Sequence, residues 1–78
     1  MKECKIQLNS IEDVKEFVNI ANSYEHDCDL VSGRYAVDAK SIMGIFSLDL
    51  SKPLNLVVHG DGSSEDVLIE AAEKFAVK

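Results

Sequence analysis

Apolar and polar residues alternate along Glu3-Cys4-Lys5-Ile6-Gln7-Leu8, which places Cys4, Ile6 and Leu8 on one side of a short strand over residues 3–8. The period then lengthens. Ile11, Val14, Phe17, Val18 and Ala21 recur at helical spacing and predict an amphipathic helix over residues 11–23. Asn9-Ser10 offers capping oxygens ahead of it, and Asp13 stands three residues past Ser10, as in a capping box. The polar segment Tyr24–Asp27 ends this helix. Cys28–Ser32 and Tyr35–Ala39 read as two short strands joined through Gly33 in a hairpin.

A dense apolar segment follows, made of Ile42, Met43, Ile45, Phe46 and Leu48 with Gly44 inside it. Ser41 occupies the N-cap position, and the segment is long enough for a two-turn helix, which the glycine weakens by about 1 kcal/mol relative to alanine. Ser51-Lys52-Pro53 stops it, because proline cannot continue a helix and disfavours helical geometry just before it. Leu54–His59 is a compact run of leucine and valine, the pattern of a central strand, and Gly60-Asp61-Gly62 makes a turn. Ser63 or Ser64 caps a last helix with the stripe Val67, Leu68, Ala71, Ala72 and Phe75. The order is βαββαβα. Helices packed on one face of a largely antiparallel sheet give an α+β two-layer domain.

Size and charge narrow the function. Seventy-eight residues bury only about 60% of their unfolded surface, enough for one domain, residues 1–78, and too little for a deep enclosed cleft. No apolar run approaches the roughly 20 residues that span a bilayer, and Met1-Lys2-Glu3-Cys4-Lys5 does not open a signal peptide, so a cytoplasmic location is expected. Fourteen acidic residues against eight basic ones leave a net charge of −6. Without a basic cluster to override it, that charge repels nucleic acid and anionic membrane surfaces and favours basic patches on proteins. Cys4 and Cys28 form no Cys-x-x-Cys pair and read as reduced, partly buried thiols.

Ser41 has two readings. As an N-cap it satisfies a backbone N–H and contributes about 1 kcal/mol, with no further role. As a phosphorylation site it would bring about −1.5 to −2 charges to the positive end of a helix, beside an apolar surface. The apolar segment Ile42, Met43, Ile45, Phe46 and Leu48 also has two readings: a helix that is simply well buried, or one that leaves Met43, with Ile42 or Phe46, in an exposed patch of the kind that binds partners. His26, among Glu25, Asp27, Cys28 and Asp29, matches no metal-ligand spacing and reads as a solvated turn. His59 ends a strand and has no Gly-x-Ser-x-Gly elbow to work with. Asp61-Gly62-Ser63-Ser64-Glu65 is neither a calcium loop nor a phosphate-binding loop. No metal site or cofactor is implied.

The segment Val37-Asp38-Ala39-Lys40-Ser41-Ile42-Met43-Gly44-Ile45-Phe46-Ser47-Leu48 resembles the regulatory-serine region of the HPr phosphocarriers of the bacterial phosphotransferase system. Lys40-Ser41-Ile42-Met43-Gly44 matches that family's regulatory-site pattern outright, and Ala21, Tyr24, Leu30, Val37 and the Glu65–Phe75 helix also fit. The resemblance implies an open-faced β-sandwich, a four-stranded antiparallel sheet with three helices on one face. It also implies that Ser41 is the target of an HPr kinase, and that Lys40, Ile42, Met43 and Phe46 contact partner proteins such as a catabolite-control regulator.

One region departs from the family. Where an HPr carrier has a Gly-Ile-His-Ala-Arg-Pro-type run before its first helix, this chain reads Leu8-Asn9-Ser10-Ile11-Glu12-Asp13. It holds no histidine, arginine or proline, so the carrier role transfers to no residue here. The resemblance is to the histidine-less catabolite-repression type of HPr, a non-enzymatic module switched at Ser41. A second expectation is an interaction module that is never phosphorylated and binds through Ile42–Phe46. A third is residual catalysis through His59 or a site without a recognised motif.

Overall fold

The structure, a computed structural model, describes residues 2–60 and 63–77. Four strands, β1 (Lys2–Ile6), β2 (Cys28–Ser32), β3 (Tyr35–Asp38) and β4 (Leu54–Val58), form one antiparallel sheet in the order β1-β4-β2-β3. The Leu54–Val58 run is therefore central, as its composition predicts. Registers such as Cys4↔Leu56 and Leu30↔Leu56 bring Cys4, Ile6, Cys28, Leu30, Leu54, Leu56 and Val58 to one face. That face is covered, and Ile6, Cys28, Leu30, Leu54, Leu56 and Val58 are fully buried. Glu3, Lys5 and Asn55 line the opposite, open face.

Helices α1 (Ile11–Asn22), α2 (Ile42–Phe46) and α3 (Ser63–Ala71) supply the other layer, followed by a 3₁₀ turn at Glu73–Phe75. Ser10 caps α1 by accepting the Asp13 N–H at 3.1 Å, while the Asp13 carboxylate reaches back to the Asn9 N–H at 3.0 Å. Val14, Phe17 and Ala21 enter the core, and Phe75 meets Phe17 edge-on with ring centroids 6.2 Å apart.

Several sequence expectations need correction. β1 ends at Ile6 rather than Leu8, because the Gln7 N–H turns to the Phe75 carbonyl; Leu8 is still buried. Ile11, read as part of the core stripe, is exposed at the first turn of α1. The second helix has five residues, not two turns, because Ser47 and Leu48 donate to carbonyls three residues back and tighten the chain out of α geometry. The last helix begins at Ser63, so Ser63 and Ser64 lie within it rather than ahead of it; the Asp61-Gly62 part of the expected turn lies outside the described residues. Its stripe also divides. Leu68, Ala72 and Phe75 point inward, whereas Val67 and Ala71 are exposed.

Candidate functional site

Ser41 follows β3 through a tight turn. Its N–H donates to the Asp38 carbonyl at 3.0 Å, and the Lys40 N–H donates to Asp38 Oδ1 at 2.9 Å. Ser41 Oγ accepts the Gly44 N–H at 3.1 Å, so the expected N-cap is present. Gly44 is required by this closeness: a Cβ there would stand 3.3 Å from both Ser41 Oγ and Val37 Cβ, tighter than ordinary van der Waals contact. The glycine thus lets α2 lie directly on β3. Over so short a helix the macrodipole is weak, and the local interaction at Ser41 is the cap hydrogen bond.

The residues around Ser41 divide by role. Ile45 is fully buried and anchors α2, whereas Met43 is 76% exposed and Phe46 42% exposed. Ile42 is half-buried against the core. Lys40 is turned inward, with its ammonium donating to the Tyr24 carbonyl at 2.8 Å past the end of α1. Tyr24 is itself fixed, because its hydroxyl donates to the His59 carbonyl.

A shallow depression of about 400 Å³ lies between the start of α1 and the end of α2, lined by Leu8, Ser10, Ile11, Phe46 and Leu50 among others. Gln7 Nε2 donates to the Ser51 carbonyl at 3.0 Å and ties the two sides together. Ser51 also donates to Asp49 through its side chain and its backbone N–H, and these bonds hold the Asp49 carboxyl below its usual range. Phe46 and Ile11 therefore line one depression, together with the polar Gln7, Asn9, Ser10 and Ser51. Ile11 and Leu50 were missed as surface residues because the first fits the core stripe of α1 and the second lies outside the expected helix.

The two histidines are elsewhere. His26 lies beyond the C-terminal end of α1, edge-on to Tyr24. His59 Nε2 sits 3.1 Å from Asp29 Oδ2. A twelve-residue helix is roughly 18 Å long, which separates His26 from the Leu8–Asp13 stretch at its other end. Among the described residues no group of three or more His, Cys, Asp or Glu could hold a metal ion, and no helix is long and apolar enough to cross a membrane.

The family model for PTS-HPr, described as the PTS HPr component phosphorylation site, matches residues 13–77. The chain belongs to the HPr family. HPr proteins are phosphocarriers of the phosphotransferase system rather than catalysts, and they work through protein partners. HPr-C-His from Thermoanaerobacter tengcongensis is 30% identical, with a TM-score of 0.82 over 95% of this chain and 89% of that one. The phosphocarrier protein HPr from Bacillus anthracis str. Ames is 24% identical, with a TM-score of 0.74 over 95% of each chain, and has the same fold. The open-faced HPr architecture expected from the regulatory-serine segment is the one observed.

Proposed function

We propose that the protein is a non-catalytic regulatory and binding member of the HPr family, switched by phosphorylation at Ser41 and without a phosphocarrier role. The observation that carries this reading is the position of Ser41. It is half-buried, at the turn from β3 into α2, one residue before the apolar surface of Ile42, Met43 and Phe46. A phosphate there would add about −1.5 to −2 charges beside that surface and change which partners it accepts. Met43 and Phe46 supply the contact area, with Ile11 continuing it across the depression. Lys40, expected to touch partners directly, is better suited to holding the turn in place through Tyr24.

Absence of the carrier role is supported by the chain itself. Leu8–Asp13 contains no histidine, and Glu12 and Asp13 would repel an incoming phosphoryl group. A serine ester is also a poor phosphoryl donor compared with a phosphohistidine. The partners suited to this reading are an HPr kinase and a catabolite-control regulator in the cytoplasm, with neither nucleic acid nor membrane as a target.

Intact mass after incubation with ATP and an HPr kinase tests the switch. Wild type should gain one phosphate and Ser41→Ala none. No gain, with an ordinary HPr modified in parallel, would leave Ser41 as a helix cap. The reading would then pass to a constitutive module, in which Met43→Asp abolishes partner binding and Ser41→Ala does not. Phosphate accepted from enzyme I and phosphoenolpyruvate would overturn the non-carrier part.

A further inference from the structure

The two edges of the sheet are treated differently. Beside β1 the chain lays its own C-terminal segment: Gln7 donates to the Phe75 carbonyl and Val77 to the Lys5 carbonyl, each at 2.9 Å, with an antiparallel bridge between Ile6 and Ala76. Beside β3, among the described residues, no strand follows. The Ala39 N–H donates to the Cys28 carbonyl at 2.9 Å, so residue 39 faces β2. In an antiparallel ladder the bonding direction alternates, so Val37 and Tyr35 also face β2, and Ala36 and Asp38 direct their backbone groups to the open edge. The Asp38 carbonyl takes the Ser41 N–H, whereas the Ala36 N–H and C=O and the Asp38 N–H point outward.

The side chains along this edge are self-complementary. Arg34 and Asp38 stand two residues either side of Ala36. Arg34 is the chain's single arginine, exposed at the hairpin tip, and makes no ion pair among the described residues. Asp38 faces another carboxylate, Asp29, directly across the ladder, and the nearby His59 is bonded to Asp29. Like charges opposed across strands are unfavourable, so a cation beside Asp38 would relieve this pair. Gly33, with φ 58° at the first loop position, keeps the two-residue hairpin tight, and β3 contains no proline or lysine that would block an added strand.

We propose that the β3 edge is a self-association surface, on which a second copy adds its own β3 antiparallel about a two-fold axis at Ala36. The two Ala36 residues then exchange both backbone hydrogen bonds. Each Asp38 N–H meets the other copy's Arg34 carbonyl, and each guanidinium meets the other copy's Asp38 carboxylate. The axis is isologous, so both charge pairs form together. A four-residue edge buries less than the roughly 1,200 Å² of a stable complex, so the dimer is weak and concentration-dependent. The surface does not depend on Ser41 being a switch.

Sedimentation velocity of the full chain at physiological ionic strength, from about 10 µM to about 1 mM, tests it. Wild type should shift toward twice the 8.6 kDa chain mass. Arg34→Asp and Asp38→Arg should each remain monomeric, since each places like charges across the axis. An equimolar mixture of the two variants should dimerise again, because both pairs are restored in the mixed dimer. Circular dichroism of each variant checks the fold, and Arg34→Asp, at the exposed tip, decides the matter even if Asp38→Arg does not fold. A wild-type chain that stays monomeric throughout, or a dimer indifferent to Arg34→Asp, overturns the proposal.

Discussion

At position 60 a side chain as small as alanine has no room. Its Cβ would collide with the Tyr24 hydroxyl and stand 3.0 Å from Glu65 Cγ. Tyr24 fastens two parts of the molecule, through its hydroxyl on the His59 carbonyl and its own carbonyl under the Lys40 ammonium. Gly60→Ala should therefore lower unfolding stability by about 1–3 kcal/mol. Tyr24→Phe should cost about 1 kcal/mol for the lost hydrogen bond. The double variant should cost less than the two combined, because phenylalanine removes the colliding oxygen. Urea unfolding of the four proteins measures this, and strictly additive costs would show that the contact is not the source of strain. None of it was legible locally: Tyr24 reads as the polar end of a helix, and its partners lie 16 and 35 residues away.

α2 shows how an element of this length persists. Five residues are far below the roughly 12–15 at which an isolated helix becomes even marginal, so α2 depends on its cap and on burial of Ile45. Ile45→Ala should cost about 2–5 kcal/mol and loosen amide-exchange protection across α2. Met43→Ala should change stability by no more than about 0.5 kcal/mol. If Met43 proved as costly as Ile45, it would belong to the core and the proposed docking surface would lose its centre. The cap was visible in the sequence, since Ser41 precedes an apolar run. The length was not, because Ile42–Leu48 satisfies a two-turn pattern that i to i+3 bonding cuts short.

For the whole molecule, the buried Cys28 gives stability a dependence on pH. Burial, opposed only in part by Lys40, pushes its thiol up from 9.0 to about 11. The folded chain therefore holds this proton more tightly than the unfolded chain does. Its contribution is complete below pH 9 and is lost as pH rises toward about 11, because the unfolded thiol ionises first. Thermal unfolding of wild type should weaken over that window more steeply than that of Cys28→Ala. Equal slopes would mean that the folded thiol ionises as readily as the unfolded one. The same burial keeps Cys28 protonated near neutral pH, so alkylation should require unfolding.

The sequence by itself determined what nearby residues decide: the order of the elements, the inward face of β1, the Ser10 and Ser41 caps, and the residue 37–48 segment that resembles the HPr family. Such features rest on periods of two and 3.6 residues and on hydrogen bonds spanning three or four positions. Only the tertiary structure decided which part of each apolar stripe is covered. Ile11 and Val67 fit their helical patterns but face solvent, because burial depends on what packs opposite. It also decided that Lys40 points inward, that Ile11 and Phe46 share one depression, and that residues 75–77 lie beside β1 while no strand among the described residues follows β3. Each of these joins residues far apart in the chain, and local pattern carries no information about such pairs.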